Sequence, residues 1–216
     1  MNSVARKAWL FTATSPAEIF GGYALIDPQQ DLVVAVDAGL ARVHALGLKP
    51  DLIIGDMDSV DPELLALYAD REQQRHPSLK NETDTELALL WCLEAGAGDV
   101  VICNDLGGRF DHSLALIQNL ENLHARGVYG RIESASQRVW FLEKDTLIKS
   151  RQGCLLSLLA WGAAAEFANS QGLQYPLAGL ILKPQKARGI SNRIESGEAR
   201  IRLASGKILA ILTMYE

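Results

Sequence analysis

The chain has few cysteines, no basic stretch and no long apolar run, and each absence argues against a class of protein. Its three cysteines are odd in number and lack the paired spacing of a zinc site, so we expect buried free thiols in a reducing compartment. The formal net charge is −5 without a Lys/Arg stripe, which argues against a nucleic-acid partner. Because no apolar stretch approaches the length of a membrane span, we expect a soluble cytoplasmic protein without a membrane partner that acts on small molecules.

The two halves of the chain differ in their apolar pattern. The first alternates short Val/Ile/Leu stretches, such as DLVVAVDAG and DVVICNDLGG, with helical patterns such as DPELLALYADREQQ. This pattern predicts an α/β domain with a mostly parallel, three-layer arrangement over residues 1–130. Short runs broken by glycine-containing turns then predict an all-β domain over residues 131–216. Within it, EARIRLASGKILAIL predicts a hairpin that turns at Ser205-Gly206.

Carboxylates follow the predicted strands at their carboxyl ends, where ligands bind in open parallel sheets. Asp37 ends one strand, Asp56 and Asp58 end the next, and Asp84 opens a helix that Thr83 is expected to cap. A single aspartate after a strand is usually a turn former or a cap. Two acids at i and i+2 are different, because a loop can aim both at one cation. Mg²⁺ accepts such a partial shell of carboxylates.

The segment GGRFDH supports the same chemistry. Gly107 and Gly108 precede a predicted helix and would expose backbone N–H groups to phosphate, while Arg109 would bind phosphate oxygens. The alternative is a glycine turn with a surface ion pair between Arg109 and Asp111. His112 is interpreted as a helix-start residue, since no second histidine has metal-ligand spacing. The sequence has no Walker A motif, no G-x-G-x-x-G after a strand and no nucleophile elbow, so a phosphate-transfer site would depend on carboxylates and metal.

Taken together and in this order, VDAGLARVHALGLKPDLIIGDMDS, KNETDTELAL and LGGRFDHSLA resemble the thiamine pyrophosphokinase (thiamine diphosphokinase) family. SLLAWG, GLQYPL and RGISN resemble the family's β-rich C-terminal domain, so the resemblance runs from about Val33 to the C-terminus. It implies an α/β nucleotide-binding domain followed by a β-sandwich domain that binds thiamine and forms a homodimer. It also implies the Mg²⁺-dependent conversion of ATP and thiamine into AMP and thiamine diphosphate.

The resemblance also implies roles for individual residues. Asp56, Asp58 and Asp84 would bind Mg²⁺ and, with Arg109 and Asp111, form the catalytic set. The residues implied to contact ATP are Asp37, Gly39, Thr83, Gly108 and Arg109, and those implied to contact thiamine are Tyr175, Ser191 and Asn192.

The chain departs from the family pattern at several positions. Asn81 stands where the family usually has an aspartate, and Leu116 where it commonly has a polar residue. The segment FTATSPAEI lacks the family's glycine, and Thr12, Thr14 and Ser15 are expected to contact phosphate instead. Two alternatives stay open: a diphosphokinase of this architecture acting on another small alcohol, such as a pterin, and a non-catalytic module that binds nucleotide or thiamine.

Overall fold

The structure, a computed structural model, describes residues 5–77 and 81–214. The chain divides into two compact units, one ending at Ala135 and the other beginning at Ser136. No helix within the described ranges is long and apolar enough to cross a bilayer. The separate functions predicted for residues 1–130 and 131–216 stay predictions.

The first unit is a mixed α/β structure around parallel strands. The strand order is β4-β3-β2-β1-β5-β6, and each neighbouring pair is parallel. The strands are β1 (Arg6–Phe11), β2 (Leu32–Val36), β3 (Leu52–Gly55), β4 (Glu72–Arg75), β5 (Ala97–Cys103) and β6 (Tyr129–Glu133). The helices are α1 (Leu40–Ala45), α2 (Pro62–Ala66), α3 (Asp84–Glu94) and α4 (Phe110–Ala125), with two 3₁₀ turns at Tyr23–Leu25 and Asp37–Gly39. The predicted parallel sheet is confirmed for this unit.

The central strands of this unit are buried and pack against α1. Every residue of β2 is buried, as expected for a strand covered on both faces. Trp9, Phe11 and Val33 pack in one apolar cluster with Leu40 and Val43 of α1. The loops that leave these strands at their carboxyl ends therefore start from a rigid base.

The helix predicted from DPELLALYADREQQ is wrong in its second half. Asp61 caps α2 by accepting a hydrogen bond from the Glu63 backbone N–H, but the helix ends at Ala66. Residues 72–75 instead form β4, which pairs in parallel with β3. Edge strands tolerate polar sequences because one side faces solvent, so this strand lacks the apolar signal of its neighbours.

The second unit is β-rich, as predicted, and its described residues form two antiparallel groups of strands. One group has the order β7-β14-β9-β12 and the other β11-β10-β13-β8. The strands are β7 (Gln137–Phe141), β8 (Asp145–Lys149), β9 (Leu155–Ala160), β10 (Ala165–Gln171), β11 (Ile181–Leu182), β12 (Asn192–Arg193), β13 (Glu198–Ser205) and β14 (Ile208–Thr213). The sandwich and three-layer descriptions stay predictions.

The hairpin predicted at Ser205-Gly206 is wrong. The turn is present, and Gly206 has a φ of 84°. The strands on its two sides do not pair with each other, because β13 pairs with β8 and β10 whereas β14 pairs with β7 and β9. A Cβ on Gly206 would lie 2.5 Å from the Cα of Ala165, so the turn passes tightly against β10.

Candidate active site

The loops after β1, β2, β3 and β5 surround a pocket of about 400 Å³ in the first unit. Its wall includes Thr12, Asp37, Thr83, Asp84, Gly108 and Arg109. The pocket therefore lies at the carboxyl edge of the parallel strands, where such sheets bind ligands.

Asp37 lies directly against the backbone of Gly55 at this edge. It adopts a left-handed φ of 47°, and one of its buried carboxylate oxygens, Oδ1, has no hydrogen-bond partner among the described residues. A Cβ added to Gly55, whose φ is 147°, would stand 1.6 Å from this oxygen. Strain and an unpaired buried oxygen at one position are typical of a functional site.

Four carboxylates influence one another around Asp37. Burial, followed by the charges of Asp84, Asp56 and Asp58, raises the pKa of Asp37 to about 6, although a backbone hydrogen bond from Met57 opposes the shift. The pKa of Asp58 is raised by its hydrogen bond with Asp56 and by the Asp56 charge. The Asp58 N–H also donates to the Asp56 carboxylate at 3.2 Å. A bound cation would reduce the electrostatic repulsion between these carboxylates.

We expect the stability of the ligand-free protein to fall as the pH rises from about 4 to 6. Since folding raises the pKa of Asp37 above its unfolded value, its favourable contribution is full below about pH 4 and is lost as the pH rises through about 6. Melting temperatures measured in chelator between pH 4 and 7.5 would test this. In Asp37→Asn the loss of unfolding free energy between pH 4 and 7.5 is expected to be smaller by about 1–2 kcal/mol, so the melting temperature falls less steeply with pH. An identical slope in wild type and variant would contradict the assignment.

The donor set suits a hard divalent cation in its chemistry. All four side chains offer oxygen ligands, and the unpaired Oδ1 of Asp37 is an acceptor in need of a partner. Within residues 5–77 and 81–214, however, no three His, Cys, Asp or Glu side chains are already grouped to hold a metal ion. The carboxylates match a magnesium partial shell in type, and other oxygen ligands would have to complete it.

The loop after β5 is held by Asn104. Its amide nitrogen donates to the Thr12 hydroxyl at 2.8 Å, and its amide oxygen accepts from the Leu106 backbone N–H at 2.7 Å. Leu106 has a left-handed φ of 52° and Gly108 one of 78°. Asn104 thus ties the loops after β1 and β5 together and directs Gly107 and Gly108 to the pocket.

Arg109 forms the exposed ion pair that the sequence left as an alternative. Its guanidinium donates to both oxygens of Asp111, and this bond lowers the pKa of the carboxyl. Both side chains are more than half exposed. Such a pair contributes little to stability, which leaves Arg109 available to an anionic ligand in the pocket that it lines.

Thr12 and Ser15 have a different role from the phosphate contact predicted for them. Both hydroxyls donate to the Cys103 carbonyl, at 3.0 and 2.7 Å, and Ser15 also accepts from the Thr12 backbone N–H. Their donors are therefore used to fasten the loop after β1 onto β5. Thr14 is exposed and lines the pocket, so its predicted contact stays a prediction.

The residues implied to contact thiamine lie together in the second unit. The Asn192 amide oxygen accepts from the Tyr175 N–H at 3.0 Å, and its nitrogen donates to the Tyr175 carbonyl at 2.8 Å. Ser191 has a left-handed φ of 57°, and its N–H donates to the Ser157 hydroxyl at 3.1 Å. Asn192 is buried, whereas Tyr175 is 61% exposed. Asn192 therefore clamps the backbone of Tyr175 and leaves its ring open to solvent.

Comparisons with known proteins show what the chain is similar to. A family model described as "Thiamin pyrophosphokinase, catalytic domain" matches residues 24–129. A thiamine pyrophosphokinase of Bacillus subtilis (strain 168) is 25% identical over 196 residues, covering 85% of this chain and 87% of the relative. Thiamine pyrophosphokinase 1 of Oryza sativa subsp. japonica is 24% identical over 206 residues, covering 88% and 75%. These matches indicate the thiamine pyrophosphokinase family.

Solved structures show that the fold is shared as well. Thiamine pyrophosphokinase from Bacillus subtilis superposes with a TM-score of 0.86 at 20% identity, covering 98% of this chain and all of that one. The enzyme from Candida albicans gives 0.78 at 17% identity, covering 98% and 90%. The mixed α/β fold with a β-rich part is therefore that of thiamine pyrophosphokinases.

The pocket gathers some of the predicted residues and not others. Asp37, Thr83, Asp84, Gly108 and Arg109 line it, whereas Gly39, Asp56, Asp58 and Asp111 are not among its lining residues. Thr83 caps α3 as predicted, by accepting from the Glu86 N–H. Gly39 has a structural reason to be glycine, because a Cβ there would lie 1.9 Å from the Phe11 carbonyl oxygen. The catalytic, metal and ligand roles of all these residues stay predictions.

One face of α4 lines the pocket, which the sequence analysis did not predict. His112, Ala115, Leu116 and Asn119 line the pocket. Their spacing of three, four and seven residues is that of a single helical face. The spacing is visible in HSLALIQNLENLHARG, but periodicity alone does not distinguish a face that lines a pocket from one that packs in the core.

Proposed function

We propose that this chain is a thiamine diphosphokinase that transfers the diphosphoryl group of ATP to the hydroxyl of thiamine, giving thiamine diphosphate and AMP. The observation that carries the proposal is the similarity to thiamine pyrophosphokinases together with a pocket lined by two carboxylates, Asp37 and Asp84, and by Arg109. A kinase-type transferase needs both, because it must position a triphosphate and neutralise its charge.

In the proposed reaction, the hydroxyl oxygen of thiamine forms a bond to the β-phosphorus. The bond from this phosphorus to the oxygen bridging to the α-phosphorus breaks, AMP leaves with the electron pair, and the hydroxyl proton passes to a base. Arg109 and the backbone N–H groups at the start of α4 would bind the triphosphate oxygens. Asp111 would orient Arg109 through the ion pair that joins them.

Asp56, Asp58 and Asp84 would hold Mg²⁺, and Asp37 would belong to the same acidic rim. The ion would supply charge neutralisation on the transferred and leaving phosphate groups. The mutual repulsion of these acids supports this assignment, since they gain from a cation.

Thiamine is a cation with a flat ring, so an exposed aromatic face suits it. The open ring of Tyr175, held by Asn192 and next to Ser191, is the proposed thiamine contact. We further propose a homodimer in the cytoplasm. The buried, unpaired state of Cys92, Cys103 and Cys154 is in keeping with a reducing compartment.

The test is AMP release from ATP and Mg²⁺ with and without thiamine. Thiamine-dependent formation of AMP, rather than ADP, is the expected result. If another alcohol such as a pterin turns over and thiamine does not, the fold serves a different diphosphokinase. Binding of ATP or thiamine without AMP release under saturating Mg²⁺ would instead indicate a non-catalytic module.

A further inference from the structure

The pocket wall includes an amide that has no hydrogen-bond partner among the described residues. Asn119 of α4 lines the pocket and is only 8% exposed. Within the described parts of the chain, no hydrogen bond joins its side chain to another group. Neither amide atom is among the fully buried side-chain atoms that lack a partner, so the amide is open to the pocket and can hydrogen-bond a ligand there.

The surroundings of Asn119 favour a flat ring with a polar edge. Val36, Ala115 and Leu116 line the same pocket with apolar groups, and Leu116 is 6% exposed. The charged residues Asp84 and Arg109 also line the pocket. Arg109 precedes Asn119 by ten positions, or about 15 Å along the helix axis, which leaves space for a sugar between phosphates and a base.

We propose that Asn119 is a specificity-determining residue that hydrogen-bonds the edge of the nucleobase and selects adenine over guanine. The inference rests on the proposed function, in which the pocket takes a nucleoside triphosphate. An amide offers one acceptor and a donor pair. Adenine presents the N6 amino donor beside the N7 acceptor and satisfies both, whereas guanine presents two acceptors, O6 and N7, and leaves the amide oxygen unpaired.

The test is Asn119→Leu, which keeps the approximate volume and removes both polar groups. Affinities for ATP and GTP measured by calorimetry, and kcat/KM for each nucleotide, are expected to show a wild-type preference for ATP. In the variant, the affinity and kcat/KM for ATP are expected to fall about 10- to 100-fold. Those for GTP are expected to fall less, so that the preference for ATP largely disappears. The ligand-free melting temperature is expected to stay close to the wild-type value, because the substitution removes no hydrogen bond between described residues of the ligand-free protein.

Asn122→Leu is the matched control. Asn122 is an exposed asparagine on the same helix, and its amide oxygen accepts a hydrogen bond from Arg126. The Asn122→Leu variant is expected to keep the wild-type ATP preference. Asn119→Ala carries the test if the leucine variant fails to fold. An unchanged ATP-to-GTP ratio in the Asn119 variants, or equal use of both nucleotides by wild type, would overturn the proposal.

The proposed activity and the proposed role of Asn119 can be tested separately. A preference for ATP binding that Asn119→Leu abolishes, without any thiamine-dependent AMP release, would support Asn119 and overturn the proposed function. Thiamine-dependent AMP release with an unchanged nucleotide ratio in the variant would do the reverse. Failure of wild type to bind either nucleotide would contradict both.

Discussion

Gly55→Ala is expected to destabilise the protein by about 3 kcal/mol or more and to remove most of its activity. The added methyl group would lie 1.6 Å from the Oδ1 of Asp37, and the φ of 147° is one that alanine rarely adopts. Either the carboxylate or the end of β3 must move. Since Asp56 and Asp58 lie one and three residues after Gly55, the movement would displace them as well. Chemical denaturation and AMP release measured on the same samples would give both effects.

A double-mutant cycle separates the collision from the backbone strain. The Asp37→Ala variant lacks the carboxylate. Adding Gly55→Ala to this variant should therefore lower the free energy of unfolding clearly less than adding it to the wild-type protein. Gly47→Ala is the matched control, because Gly47 has a φ of 66° and no atom of the described residues would lie within 4 Å of a Cβ added to it. It is expected to cost only about 1 kcal/mol. Equal costs for Gly55→Ala in both backgrounds would show that Asp37 does not enforce the glycine.

The edge at which the acids meet could be predicted from sequence because one rule fixes it. Parallel strands place all their carboxyl ends together, so Asp37, Asp56 and the Gly107-Gly108 loop had to share an edge. The rule does not give distances. The contact between Asp37 and Gly55 depends on left-handed φ values at Asp37 and Met57, and non-glycine residues rarely adopt them. No sequence pattern predicts left-handed φ values at these two positions.

Two further features depend on long-range packing. β13 alternates buried and exposed residues whereas β14 is largely buried, and both patterns also fit an ordinary hairpin. Their assignment to different groups of strands is decided by β7, β8, β9 and β10, which are remote in sequence. The role of Asn119 is hidden for a related reason, since a buried asparagine on an apolar helical face acquires meaning only when the pocket beside it is known.

Asp58→Asn is expected to lower turnover at least about 100-fold and leave the melting temperature unchanged or slightly raised. The side chain is exposed, and Asp56 raises its pKa by hydrogen bonding and charge, so the folded state gains nothing from its ionisation. An amide is also a weaker ligand for a hard cation. AMP release at increasing Mg²⁺ should therefore show a higher half-maximal concentration for the variant.

Asp61→Asn, three residues on, is the control for this assignment. Asp61 accepts from the Glu63 N–H at the start of α2, and asparagine caps helices about as well as aspartate. This variant should keep both turnover and Mg²⁺ dependence. An Asp58→Asn protein that melts early but retains wild-type turnover per folded molecule would make Asp58 a structural residue. Because Asp56 and Asp58 share one loop, that result would also shift the proposed metal set toward Asp37 and Asp84, the two acids that line the pocket.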